Sequence, residues 1–315
     1  MDISVVILTY SQPHLLPQCV ASCVREIDEA GLTGEIILID NASQDGTPQR
    51  VAAHFPEVRL IRNEQGASFA AGNNQGIRAS TGRLVLLLND DAVLEQGALR
   101  VMLEALDSNP KIGALGPKLL NPDGSTQQYY TNCRFPRFHS LMLGWLELTP
   151  LLEKHAWTRD LFTHYHDQER GGETDWVGCA CLLARRIDLD GIGGLDESYY
   201  FGMEDIDLCY RLKQKGQKVL YVAEARVTHY ASASLRRLAG IERKIINLRA
   251  LLRYEKKHGS LPQYLLYKAI VFGGLALFHI PSAVLLEMRS PAPRPRSWWF
   301  PLRSFLRYLG EAKGI

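Results

Sequence analysis

Apolar residues recur along the first ninety positions in a repeating order: a short β-branched run, a stretch with apolar positions three and four apart, then another short run. Residues 4–9 (SVVILT) form the first run and read as a buried strand. Leu15, Leu16, Cys19, Val20, Cys23, Val24 and Ile27 follow at helical spacing, which predicts a helix over about 13–30 closed by Gly31 and Gly34. Residues 35–39 and 58–62 read as the next strands, and 48–54 and 69–79 as the next helices. The fourth run, 84–88, is five apolar residues in succession and fits a strand buried on both faces. Farther on, the pattern predicts a helix over 96–108, strands over 112–117 and 175–183, a helix over 205–214, a strand over 219–222 and a short run at 227–229. Such alternation, with short glycine-bearing loops, predicts an α/β fold on a parallel sheet.

Polar groups gather where these strands end. Thr9, Tyr10, Asp40, Asn41, Asp45, Asn63, Asn89 and Asp91 all fall at predicted C-terminal ends, the side on which open α/β sheets bind ligands. The densest group is Asn89-Asp90-Asp91. Its oxygens suit a hard divalent cation that also bridges to phosphates, and a polar strand exit accounts for them equally well. A second group, Glu204, Asp205 and Asp207, opens the helix predicted over 205–214. The helix dipole favours acids there, but three acids on one turn exceed what capping needs. Residues 120–173 show no clear period and are rich in aromatics and histidines, among them Tyr129, Tyr130, Trp145, His155, Trp157, His164, Tyr165 and His166.

Composition alters this picture in two places. The net charge of +2 conceals an asymmetry: residues 236–315 carry 15 Lys and Arg against 4 Asp and Glu, whereas residues 1–235 carry 21 against 30. An acidic body with a basic tail predicts that the tail meets an anionic surface. Within it, 236–257 reads as a basic amphipathic helix, 269–286 as an apolar run at the short limit for a membrane span, and Trp298, Trp299 and Phe300 lie among arginines. A peripheral hold on the inner face of the cell membrane fits this pattern. A helical hairpin covering the body or a dimer partner is the alternative. The six cysteines form no CxxC pair and no zinc spacing, and an apolar strand begins at once, so a reducing, cytoplasmic location is expected. No GxGxxG and no P-loop is present.

Taken together, VVILTY (5–10), LIDNASQDGT (38–47), NEQGASFAAGNNQGI (63–77), LLLNDDAVL (86–94), DWVGCACL (175–182) and GGLDESYYFGMEDIDLCYR (193–211) resemble glycosyltransferase family 2, in its bacterial rhamnosyltransferase-like branch. The resemblance covers roughly 3–230. It implies the GT-A fold, a mostly parallel central sheet flanked by helices, here with a helical C-terminal extension. The implied division is a catalytic domain over 1–235, with a nucleotide-sugar half to about 117 and an acceptor half to 235, followed by a membrane-associating extension over 236–315.

By position, the resemblance implies that Thr9, Tyr10, Asp40, Asn41, Asn63, Gly72, Asn73, Asn89 and Asp90 surround the nucleotide sugar, with Asp40 on the base. Asn89 and Asp91 match the outer positions of the family's metal motif, which leaves Asp91 as the principal carboxylate for Mg²⁺ or Mn²⁺, with His229 a further ligand. Asp205 matches the catalytic base, with Glu204 beside it, and Trp176, Gly178, Asp207 and Arg211 fall on the acceptor side. The implied activity is inverting transfer of a sugar from a dTDP- or UDP-linked donor to a glycan or polyprenyl-diphosphate-linked acceptor in cell-surface polysaccharide synthesis. The expected partners are these substrates, the membrane surface and a second copy of the chain, without nucleic acid. A nucleotidyltransferase would need a glycine- and arginine-rich loop after the first strand, which TYSQPH is not. A non-catalytic binding module would have no use for both Asp91 and Asp205.

Overall fold

The computed structural model describes residues 1–127, 132–137, 167–231 and 240–274. Met1–Phe135 and Thr163–Ser232 form one compact unit, and Pro136–Phe162 with Ala233–Ile315 a second. Tyr129, Tyr130, the aromatics and histidines of 145–166, and the Trp298–Phe300 cluster lie outside the described residues.

In the first unit, strands β1 (Ile3–Thr9), β2 (Gly34–Asp40), β3 (Val58–Arg62) and β4 (Leu84–Asn89) lie parallel in the order β3-β2-β1-β4. Helices α1 (Leu16–Glu29), α2 (Thr47–His54) and α3 (Phe69–Ala79) connect them. Alternation along β1 sorts the faces. Ile3, Val5 and Ile7 join a core with Leu16, Cys19, Val20 and Cys23 of α1. On the other face α3 lies so close that a Cβ on Gly72 would overlap Leu8, and one on Gly76 would overlap Val6. The glycines of that helix are therefore a condition of its packing.

Beyond β4 the sheet becomes mixed. Its order continues β8 (Cys181–Arg185), β6 (Ile112–Leu120), β9 (Lys218–His229) and β5 (Ala92–Leu94), with β7 (Gly172–Thr174) also on β9. Strand β8 is antiparallel to both β4 and β6, while β6 and β9 are parallel. The boundary expected at 117/118 thus falls inside β6, and the two halves share one sheet. Helix α4 (Ala98–Asp107) follows β5, and buried Glu26 of α1 accepts from Gly97 N and Leu99 N at its first turn, both at 3.1 Å. Those are donors that a helix start leaves unsatisfied.

Three elements differ from the pattern reading. The run 175–183 is not one strand: Trp176 forms an isolated bridge with Cys133, a turn follows, and the strand begins only at Cys181. The runs 219–222 and 227–229 are one strand, β9, whose register with β6 jumps between Pro117↔Val222 and Lys118↔Arg226. The extra residues bulge from the ladder, so the apolar alternation breaks while the strand continues. Helix α5 (Arg186–Ile192), ahead of α6 (Glu204–Gln214), carries only one buried residue, Leu189, and leaves no periodic signal.

In the second unit, α7 (Gly240–His258) and α8 (Leu261–Gly274) are joined through Ser260. Ser260 and Gln263 bond reciprocally at the start of α8, as a capping box does. Tyr264 and Tyr267 are buried, whereas Leu261, Leu265 and Leu266 are exposed.

Candidate active site

Strand register sets the level of the site. Thr9 lies opposite Asp40 and Leu8 opposite Asn89, so three strand ends form one rim. Thr9 Oγ1 donates to Asp90 Oδ2 at 2.6 Å, and Tyr10 N at 3.4 Å, while the Tyr10 ring is exposed. Burial, with the charge of Asp91 adding to it, raises the Asp90 carboxyl to about 7 against the pull of the Thr9 hydroxyl.

Other rim residues already have partners within the fold. Asp40 is fully buried and accepts from Ser43 N at 2.8 Å and Gln49 Nε2 at 3.1 Å. Asn41 bonds both ways to the Ala67 backbone, and Asn63 N donates to Asp40 O. Buried Asn73 donates to Phe69 O within α3. These side chains hold the loops after β2 and β3 against each other and so shape the rim. Ser11 (φ 50°), Ala42 (φ 65°), Met203 (φ 71°) and Ala231 (φ 46°) are non-glycine residues in the left-handed region. Each adjoins a site residue or the strand that carries one. Such conformations cost about 1–3 kcal/mol each and collect at functional loops.

The second cluster depends on the short strand β5. Its pairing sets Ala92 opposite His229, which brings Asp91 to the histidine. Asp91 Oδ1 lies 3.3 Å from His229 Nε2, and Asn89 Nδ2 lies 3.3 Å from the same nitrogen. Gln127 fixes the ring: its Nε2 donates to His229 O at 2.6 Å, so its Oε1, 3.0 Å from Nδ1, accepts. Nδ1 is then the protonated nitrogen, and in the neutral ring Nε2 turns a lone pair toward the Asp91 carboxylate. That nitrogen accepts from Asn89 Nδ2, and Asp91 Oδ1 lies beside it. A carboxylate oxygen and an imidazole nitrogen this close are donor types that suit a divalent ion in place of the Asn89 contact, with Gln127 as the outer partner that orients the ring. Among the described residues no group of three or more His, Cys, Asp or Glu could hold a metal, so other ligands would have to come from water or substrate oxygens.

The acid pair sits beside this cluster by way of β8. Asn89 N donates to Ala180 O at 3.0 Å, and the backbone of the next residue back, Cys179, is close enough to the Asp205 carboxyl to pull its pKa down against the effect of burial. Asp205 also accepts from Ile206 N at 2.8 Å. Burial raises Asp205 to about 6. Burial, and then the Asp205 charge, raise Glu204 to about 8. Glu204 is 6% exposed and its Oε2 has no hydrogen-bond partner, which favours the protonated form.

The four residues expected on the acceptor side lie on two stretches, the one before β8 and α6. Trp176 is buried and donates to Arg134 O at 2.9 Å, and Gly178 precedes the Cys179 amide. Asp207 is fully buried and pairs with Arg211 Nε at 2.6 Å, while the other Arg211 nitrogens donate to Ile192 O and Gly194 O. Asp207 and Arg211 thus pin α6 to the segment before it. Pattern reading passed over Gln127 and Asn74. Gln127 is a loop amide beside an aperiodic stretch and gives no signal. Asn74 sits next to the chosen Asn73, and only the loop that α3 meets distinguishes them.

Comparison with known proteins is consistent with this geometry. The sequence profile described as "Glycosyl transferase family 2" matches residues 4–188. The N-acetylglucosaminyl-diphospho-decaprenol L-rhamnosyltransferase of Mycobacterium tuberculosis (strain ATCC 25618 / H37Rv) is 32% identical over 248 residues, which cover 73% of this chain and 76% of that one. Two solved structures share the fold. GalNAc-T7 with UDP, GalNAc and Mn²⁺ has a TM-score of 0.57 at 17% identity, covering 81% of this chain and 48% of that one. The mannosyltransferase PcManGT from Pyrobaculum calidifontis, in complex with GDP-Man and Mn²⁺, has a TM-score of 0.54 at 15% identity, covering 99% and 79%.

Proposed function

The chain belongs to glycosyl transferase family 2, and from that premise we propose that it moves a sugar, with inversion, from a nucleoside diphosphate to a hydroxyl of a polyprenyl-diphosphate-linked acceptor. One observation carries the reading. The Asp91–His229 pair and the Asp205–Glu204 pair, far apart in sequence, adjoin the same strand end through Asn89, Ala180 and Cys179.

Asp91, His229 and Asn89 would hold Mg²⁺ or Mn²⁺, which when bound offsets the charge developing on a leaving diphosphate. Thr9, Tyr10 and the loops tied by Asp40, Asn41 and Asn63 bound the nucleotide side. The carboxylate of Asp205 accepts the proton of the acceptor hydroxyl as its oxygen bonds to the anomeric carbon and the bond to the diphosphate breaks. Protonated Glu204 leaves Asp205 the single negative charge of that pair. With Asp205 as the one base, and Asp90 and Asp91 engaged on the donor side, single displacement follows. The rhamnosyltransferase relative supports a deoxyhexose donor such as dTDP-rhamnose and a lipid-linked acceptor.

A lipid-linked acceptor also supports action at a membrane surface. Exposed Leu261, Leu265 and Leu266 on α8, close to Lys256 and Lys257, provide apolar and basic contacts for it. Among the described residues no helix is long and apolar enough to cross a membrane.

The test is transfer from a panel of nucleotide sugars to a polyprenyl-diphosphate-GlcNAc analogue, with the product anomer read by NMR. Inverted configuration at the anomeric carbon is expected. Retained configuration would replace the single-base mechanism, and no transfer from any donor would remove the acceptor assignment.

A further inference from the structure

Asp205 lies on the first turn of α6, and a helix start needs something to hold it. Met203 ahead of it is in the left-handed region and Gly202 has φ 85°, so the approach to the helix does not hold itself by regular structure. Lys213 ties the far end of α6 to Thr174 O and Asp175, and nearer Asp205 the tie is the Asp207–Arg211 pair, whose Arg211 Nη1 and Nη2 reach Ile192 O and Gly194 O, each at 2.7 Å. The position of α6 is therefore passed to the backbone at 192–194.

That backbone is held in turn from the donor side of the sheet. Asn74 of α3 is 5% exposed. Its Nδ2 donates to Leu195 O at 2.8 Å and to Glu197 Oε1 at 2.9 Å, and its Oδ1 accepts from Leu195 N at 2.9 Å. The amide thus pairs with Leu195 as a neighbouring strand would. Gly194 (φ 72°) lies so close that a Cβ there would overlap Asn74 Oδ1. Arg78, one turn along α3, reaches the same Glu197 carboxylate at 3.3 Å. At its other end α3 follows the loop that Asn41 clamps through Ala67. A continuous set of hydrogen bonds runs from the nucleotide rim through α3 to 194–197, then through Arg211 and Asp207 to the turn carrying Asp205.

We propose that Asn74 is a positioning residue for Asp205: its side-chain amide fixes the segment 194–197, and through Arg211 and Asp207 it sets where the base stands relative to the donor side. The proposal rests on Asp205 being the base. Asn74 touches neither substrate, so its removal acts on turnover and leaves donor affinity alone.

A double-mutant cycle of Asn74→Ala and Asp205→Asn on the full chain tests it, with turnover at saturating donor, donor Kd and thermal midpoint read for each protein. Asn74→Ala alone should lower kcat by about tenfold or more, since a misplaced group costs up to about 10²-fold. Donor Kd should stay within about twofold, the scatter expected of independent sites. In the Asp205→Asn background the same change should have almost no further effect on residual turnover, because a misplaced base matters only when there is a base. A merely structural asparagine would lower the thermal midpoint alike in both backgrounds and give additive losses of turnover. Additive losses, or a donor Kd that weakens in step with kcat, would overturn the proposal. Normal turnover by Asp205→Asn itself would instead remove the base assignment. If Asn74→Ala does not fold, Glu197→Ala, at a half-exposed partner of Asn74, is put through the same cycle with the same criteria.

Discussion

Glu204 and Asp205 have adjacent carboxyls, and their surroundings push the protons apart in pH. Asp205 is raised to about 6 by burial, and Glu204 to about 8 by burial and then by the Asp205 charge. As the proposed base, Asp205 must be ionised to act, so kcat should rise with pH through about 6 and level off above it. Glu204→Gln mimics the protonated acid and should keep most of its turnover at pH 7. A dead Glu204→Gln beside an active Asp205→Asn would exchange the two roles. At the other cluster, Gln127 fixes the His229 tautomer from the Nδ1 side, away from Asp91. Gln127→Ala should weaken Mn²⁺ binding by about 10–100-fold, the usual cost of losing an outer partner. Titration calorimetry with Mn²⁺ in the presence of the nucleoside diphosphate measures this, and unchanged affinity would count against His229 as a ligand.

At the scale of elements, the seating of α3 on β1 is the most exacting contact. A methyl group at Gly76 would meet Val6, whose β-branched side chain has little freedom to turn away. Gly76→Ala should therefore cost about 1–3 kcal/mol, read as a lower urea midpoint at an unchanged slope. A midpoint that does not move would mean that α3 shifts freely. Legibility followed the elements' own regularity. The helix expected over 69–79 is α3 to the residue, because its small apolar face and its breaks are local features. The run 84–88 is buried along its whole length, since it is a central strand with β1 and β8 at its edges and both of its faces covered. The turn at 179–180, the bulge in β9 and helix α5 were not legible, since each is set by pairing with distant residues. The carboxylates of the site stood out as charges at strand and helix ends. Gln127 and Asn74, which orient those charges, are neutral amides whose roles appear only when β9 and the segment 194–197 come to them.

For the whole molecule, the raised acids make a stability statement. Glu204 and Asp205 hold protons more tightly folded than unfolded, so their contribution is complete below the ordinary carboxylate range near pH 4. It is lost as pH rises through about 6 and then about 8. The metal-free protein should melt at a lower temperature at pH 8.5 than at pH 5.5, and Glu204→Gln should flatten that slope. The full chain should also float with anionic liposomes at low salt, because 236–315 combines 15 basic residues with the exposed leucines of α8. Changing Leu261, Leu265 and Leu266 to serine should loosen it, and a wild-type chain left in the aqueous layer would refute the attachment. The proposed reaction divides its labour at one strand end, with Asp91 and His229 on the donor and Asp205 on the acceptor proton. Its most direct test is kcat of Asp205→Asn at saturating donor. A fall of about 10²-fold or more is the result this account predicts, on the scale of a lost general base, and turnover at the wild-type rate would contradict it.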